Sequence, residues 1–231
     1  LVDTITAEVI RSKFEALLTE MRFVLIRSAY STLMRESRDC SFGICSAKGE
    51  MPFEGAAGLH IYSRAAQRLL ADYSPDQFRD GDIFIGNDPH QIGVNHSPDV
   101  LLIAPVLFEG TLVGFCGSIA HKFDFGGAVP GSAHSGATEL FQEGLVLPIM
   151  KFYDRGKLIS QVEDVIRANV RNPDLVLGDL GAQIGATHLG VERVKGFAKR
   201  FGPEVMATAF EGTLAASEKR VRMHIARWPG K

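Results

Sequence analysis

Chemistry-bearing residues concentrate between Asp82 and Gly127, where His90, His96 and His121 stand among Asp88, Asp99 and Asp124. They lie at the edges of β-branched apolar runs, where a chain ordinarily places turn residues rather than groups that bind metals or move protons. His96-Ser-Pro-Asp99 together with His121 supplies two imidazoles and a carboxylate. That set suits a divalent transition metal, Zn, Mn or Fe(II), whereas an all-oxygen set would suit Mg or Ca. Asp39 is the best fourth ligand from elsewhere in the chain. A metal site with an open position lowers the pKa of bound water or polarises a substrate oxygen. His-x-x-Asp also arises by chance, and a bland reading has His96 and His121 hydrogen-bonded to turns while Asp99 caps a strand. A second chemistry needs no cofactor: His121 exchanging protons with Asp124 or Glu143. His90, His134 and His188 have no partners at useful spacing.

For the metal set to converge, the intervening chain must fold back on itself. Val100 to Phe108 and Thr111 to Ala120 are β-prone runs joined by Glu109-Gly110, which predicts a hairpin. His96 and Asp99 enter its first strand and His121 leaves its second, so antiparallel pairing carries all three to one end of the ladder. Before this lie a long amphipathic helix from Thr4 to about Tyr30, strands at Cys40–Cys45 and near Met51, a helix from His60 to about Tyr73 with Leu59 on its apolar side, and a strand from Gly81 to Ile85 stopped by Asn87-Asp88-Pro89. Asp39 thus stands at the mouth of a strand, where it is as readily a turn residue as a ligand.

Beyond Gly127, Glu139 to Gly144 reads as a helical turn closed by glycine, and Leu145 to Tyr153 as a strand. Helical periodicity then runs through about Gln161–Val170, Asp174–Phe201 and Pro203–Ala226. The middle helix carries Gly178, Gly181, Gly185 and Gly190, costly in a helix unless a neighbour comes close. Asp179 and Gln183 share one of its faces, either lining a site or permitting tight packing, with packing favoured. The pattern predicts an α+β fold: a mixed region over 1–160 carrying the site and a helical region over 161–231, or one domain.

Composition narrows the function classes. With 45% apolar and 23% charged residues, the 231-residue chain has an ordinary globular balance. Its net charge of −2 offers no general pull toward nucleic acid or an anionic membrane. No apolar run approaches the roughly 20 residues needed to span a bilayer, and no signal-peptide pattern opens the chain, which places it in the cytoplasm. Cys40, Cys45 and Cys116 have no CxxC spacing and read as reduced, apolar strand residues rather than ligands.

Several of these segments together resemble the hydantoinase B/oxoprolinase family: Asn87-Asp88-Pro89, His96-Ser-Pro-Asp99, Ala120-His121 with Asp124-x-Gly-Gly, Glu139-Leu-Phe-Gln-Glu143-Gly144, Ala168-Asn-Val-Arg171 and Gly178-Asp179-Leu-x-Ala-Gln183. They occur in the family's order from the first helix to the last residue. The family includes hydantoinase B subunits, the C-terminal half of 5-oxoprolinase, and subunits of acetone and acetophenone carboxylases. The resemblance implies a hetero-oligomer in which a hydantoinase A-type partner, with an actin-like ATPase fold, uses ATP and Mg to phosphorylate a carbonyl oxygen. The B-type subunit then opens the ring of a lactam or imide, or carboxylates an enol phosphate, at a metal site matching His96, Asp99 and His121, with Asp39 alongside. The chain has no P-loop of its own. Cyclic amides are the expected substrates, with a ketone-carboxylase subunit or a non-catalytic assembly subunit as alternatives. Two departures stand out: Lys122 follows His121 where many members have a second histidine, and members are considerably longer, so an N-terminal portion is expected.

Overall fold

The computed structural model describes residues 3–55 and 60–228; the expected apolar contact of Leu59 falls outside them. A seven-stranded antiparallel sheet forms the centre, in the order β2-β1-β5-β4-β3-β6-β7. Its strands are β1 (Cys40–Ser46), β2 (Phe53–Gly55), β3 (Ile83–Gly86), β4 (Asp99–Phe108), β5 (Thr111–His121), β6 (Met150–Asp154) and β7 (Lys157–Leu158). The helices are α1 (Thr4–Ser28), α2 (Thr32–Ser37), α3 (Ile61–Asp72), α4 (Ser160–Asn169), α5 (Pro173–Phe201) and α6 (Pro203–Ile225). The expected α+β architecture is present.

Successive strand residues point to opposite faces, and both faces of this sheet are covered. Val100, Leu102, Ala104 and Val106 of β4 join the core beneath α1, α5 and α6. Leu101 and Ile103 turn the other way, into the core beneath α3. Burial on both faces explains why these strands read as continuous apolar runs instead of alternating ones. The β4–β5 turn has Glu109 at φ 50° and Gly110 at φ 79°, the left-handed pair that lets a two-residue turn follow the strands' twist.

Two segments differ from the sequence expectation. The strand expected over 145–153 begins only at Met150, because the buried Asn87 side chain intervenes. Asn87 Nδ2 donates to the Leu145 carbonyl and Asn87 Oδ1 accepts from the Leu147 N–H, at 2.8 and 2.6 Å. Those backbone groups are therefore bonded without a ladder. The short helix α2 lies outside the expected elements: the Ser31 hydroxyl accepts from the Met34 N–H and caps its start. The α5 glycines divide. A Cβ at Gly178 or Gly190 would collide with Tyr30, or with Cys116 and Met21, whereas Gly181 and Gly185 face open space.

Candidate metal centre

The site lies at one end of the sheet because register puts it there. Asp99, the first residue of β4, is paired directly with His121, the last of β5. On the other side of β5, Cys40 pairs with Ala120, so Asp39 falls beside His121, and the His121 N–H donates to the Asp39 carbonyl at 3.1 Å. His96 arrives through a tight turn in which the Asp99 N–H donates to the His96 carbonyl at 3.1 Å. His96 Nε2 and His121 Nδ1 then approach the same carboxylate oxygen, Asp99 Oδ1, at 3.1 and 3.0 Å. One ligand atom from each of His96, Asp99 and His121 falls within 4.8 Å of the others. Asp39 Oδ2 stands 4.0 Å from His121 Nδ1, and its side chain is 66% exposed. The cluster is walled by the sheet on one side and open to solvent on the Asp39 side.

The electrostatics suit a cation. Burial pushes the Asp99 carboxyl up, but the hydrogen bonds from His121 and His96 outweigh it and hold Asp99 below the ordinary carboxylate range. The hydrogen bond to Asp99 raises His96 above the usual imidazole value; burial opposes this, and the charges of Asp99, Glu143 and Asp39 reinforce it. In this arrangement a proton on His96 stands where a divalent ion could stand, and metal binding would displace it. Two imidazole nitrogens and an ionised carboxylate, on two strand ends and the tight turn leading into one of them, fit a tetrahedral or octahedral transition-metal ion.

The cluster is held from behind by α5. Gln183 Nε2 donates to the carbonyls of Val100 and Ser118, each at 2.9 Å, pinning the strands one residue past Asp99 and three before His121. Its Oε1 accepts from Lys122 Nζ at 2.6 Å. Lys122 is wholly buried, and burial pushes its ammonium down to about 8 despite the favourable charge of Asp179. Asp179 Oδ1 accepts the N–H groups of Tyr30 and Ser31 at 2.7 and 2.9 Å, tying the α1–α2 junction to the same helix. The face shared by Asp179 and Gln183 is a buried brace, not an open site wall. Asn87 adds a further tie, donating to the carbonyl of Ser97 between His96 and Asp99. In the sequence Asn87 reads as a turn residue; a polar side chain at the end of an apolar strand is the available signal of its larger role.

The remaining candidates are dispersed. The buried Asp124 carboxylate accepts from the N–H groups of Gly126 and Gly131 at 3.0 and 2.8 Å and from the Arg171 guanidinium at 2.9 Å. It holds the glycine loop in place; Gly126 and Gly127 have φ of 86° and 84°, with backbone 2.6 Å from where a Cβ would be. Glu143 follows a 3-10 turn, half-buried, within electrostatic reach of His96. His90 and His188 are exposed, and His134 Nδ1 accepts its own loop's Gly136 N–H. Cys40, Cys45 and Cys116 are free, buried thiols, all raised by burial.

Comparison with known proteins places this geometry in context. The chain is 31% identical over 236 residues to the putative D-/L-hydantoinase B subunit of Pseudomonas sp. (strain NS671), covering 99% of the chain and 40% of the relative. It is 29% identical over 218 residues to the acetophenone carboxylase delta subunit of Aromatoleum aromaticum, covering 92% of the chain and 31% of that relative. The ATP-dependent caprolactamase of Pseudomonas jessenii superposes with a TM-score of 0.90 at 27% identity, covering 100% of the chain and 40% of its counterpart. The chain thus spans about 40% of the hydantoinase relative it matches. The family model for hydantoinase B/oxoprolinase matches residues 3–231, and the chain belongs to that family.

Proposed function

We propose that this chain carries the metal-dependent half-site of an ATP-dependent cyclic amidohydrolase of the hydantoinase/oxoprolinase type. The observation that carries the reading is the in-register convergence of His96, Asp99 and His121 at one sheet end. His96, Asp99 and His121 would hold a Zn, Mn or Fe ion, with Asp39 as a fourth ligand from the open side. When bound, such an ion lowers the pKa of water toward neutrality and polarises a substrate oxygen. The protein's own part is to keep the ligands fixed through Gln183, Lys122 and Asn87, and to keep Asp99 ionised. Glu143, whose charge reaches His96, would move a proton there, while Asp124 holds the glycine loop whose Ala128 N–H donates to the neighbouring Gln142 carbonyl. ATP and Mg are handled by a hydantoinase A-type partner, which activates the carbonyl of a lactam or imide, and the two assemble as a hetero-oligomer in the cytoplasm. Similarity to the acetophenone carboxylase delta chain supports a second reading, a ketone-carboxylase component using the same cluster.

Metal titration tests the reading. The wild-type chain should take up one transition-metal ion, and His96→Ala or His121→Ala should weaken uptake by at least about 100-fold. With an A-type partner and the full-length protein, chelation should stop ATP-dependent ring opening. Undiminished uptake in both variants, or full activity in metal-free protein, would end the proposal.

A further inference from the structure

The first half of α6 packs on the body and the second half leaves it: Met206, Ala209 and Phe210 are buried, whereas every residue from Ala215 to Trp228 is exposed. Along that free half Val221, Ile225 and Trp228, each more than half exposed, continue at helical spacing the stripe begun by Ala207, Phe210 and Leu214. Beside the first half lies an apolar groove of about 240 Å³, formed by Leu112 and Val113 of β5 with Pro203, Ala207 and Phe210. The two halves differ in charge. The groove carries Glu50, Glu204 and Glu211 against Lys48 alone, while the free half carries Lys219, Arg220, Arg222 and Arg227 against Glu218 alone.

We propose that the occupant of the groove is the free half of α6 from a second copy of this chain, the two copies pairing as an antiparallel, two-fold α6–α6 dimer. With the axis at the level of Ser217, the partner's Ile225 falls between Ala207 and Phe210, the partner's Val221 between Phe210 and Leu214, and the partner's Trp228 between Pro203 and Ala207. The same register sets Glu211 opposite the partner's Arg222, and the two-fold symmetry repeats the contact in reverse. Glu211 and Arg222 already pair with Lys48 and Glu218, but exposed ion pairs of this kind are weak and readily exchanged. A parallel pairing would set acid against acid and base against base, which is repulsive. None of this depends on the metal reading.

Sedimentation equilibrium on the 231-residue chain tests the pairing. The wild type should reach twice the 25.2 kDa of one chain. Ile225→Glu, at an exposed position of the single chain, should keep its circular dichroism and weaken dimerisation at least about 100-fold. Glu211→Lys or Arg222→Glu alone should weaken it about tenfold. Mixing those two charge variants should restore the dimer, because both contacts of a mixed pair then join opposite charges. A monomeric wild type, a dimer indifferent to Ile225→Glu, or no recovery on mixing overturns the proposal. It is overturned too if, in the full-length protein, Ile225→Glu lowers the melting temperature but leaves the mass unchanged, since the stripe would then pack against the protein's own further chain.

Discussion

Replacing Asp124 by asparagine separates a loop-holding carboxylate from a proton carrier. In the native site both carboxylate oxygens are committed: Oδ1 to the Gly126 N–H, Oδ2 to the Gly131 N–H and to the Arg171 guanidinium. Asparagine keeps the shape but must turn an NH₂ group toward one set of donors. It also removes the charge that Arg171 faces. Losing charge-assisted hydrogen bonds at a buried carboxylate costs roughly 2–4 kcal/mol. The Arg171 share of this is small, because its side chain is 40% exposed and solvent screens the pair, so Arg171→Gln should cost only about 1 kcal/mol. Urea unfolding at neutral pH measures both, and the double variant should be less destabilised than the sum. The pH dependence has a defined sign. Burial raises the Asp124 carboxyl, but the backbone N–H groups of Gly131 and Gly126 and the Arg171 guanidinium outweigh it and depress it. Its contribution is therefore complete above the ordinary value of 3.8 and disappears as pH falls through the lower folded value. The gap between wild type and variant should stay constant from neutrality to about pH 5 and narrow only in stronger acid. A variant that loses less than about 1 kcal/mol yet abolishes ring opening in the assembled enzyme would refute the loop-holding role and restore Asp124 as a proton carrier.

Lys122→Met should remove an opposite pH dependence. Burial depresses the Lys122 ammonium from 10.5 to about 8, so the unfolded chain binds more protons between those values and wild-type stability attributable to this group rises with pH across that window. In chelator-treated protein the wild-type minus variant stability should shift by about 3 kcal/mol between pH 7.5 and 10.5; the buried thiols, present in both, cancel, and superposed profiles would refute the argument. Gly190→Ala should destabilise by about 2 kcal/mol or more, since its Cβ meets Cys116 and Met21. Gly185→Ala, facing open space, should stabilise α5 by roughly 0.5–1 kcal/mol, both read by thermal melts.

Local chemistry along the chain was enough to recognise the hairpin, the long helices and the candidate trio of His96, Asp99 and His121. The β-branched runs on either side of Glu109-Gly110 predict the hairpin that carries His96, Asp99 and His121 to the same end, but it is the register shift between Val106 and Leu107 that sets Asp99 opposite His121 and not Ala120. Asp39 was legible as a candidate fourth ligand at a strand mouth. Its place beside His121 depends on β1 docking against β5, a long-range pairing with no local signal. The brace behind the cluster was equally hidden. Spacing put Asp179 and Gln183 on one helical face, but not what that face meets, because the docking of α5 on the sheet is decided by side-chain packing over the whole core. The late start of the strand expected from 145 has the same origin: one distant asparagine, Asn87, takes the backbone bonds that a ladder would have taken. Sequence alone therefore determined the candidate residues and the pair of strands that gathers them, since both follow from residue type, periodicity and turn type. Tertiary structure alone decided what holds them and what faces solvent, since those follow from contacts between segments far apart in the chain.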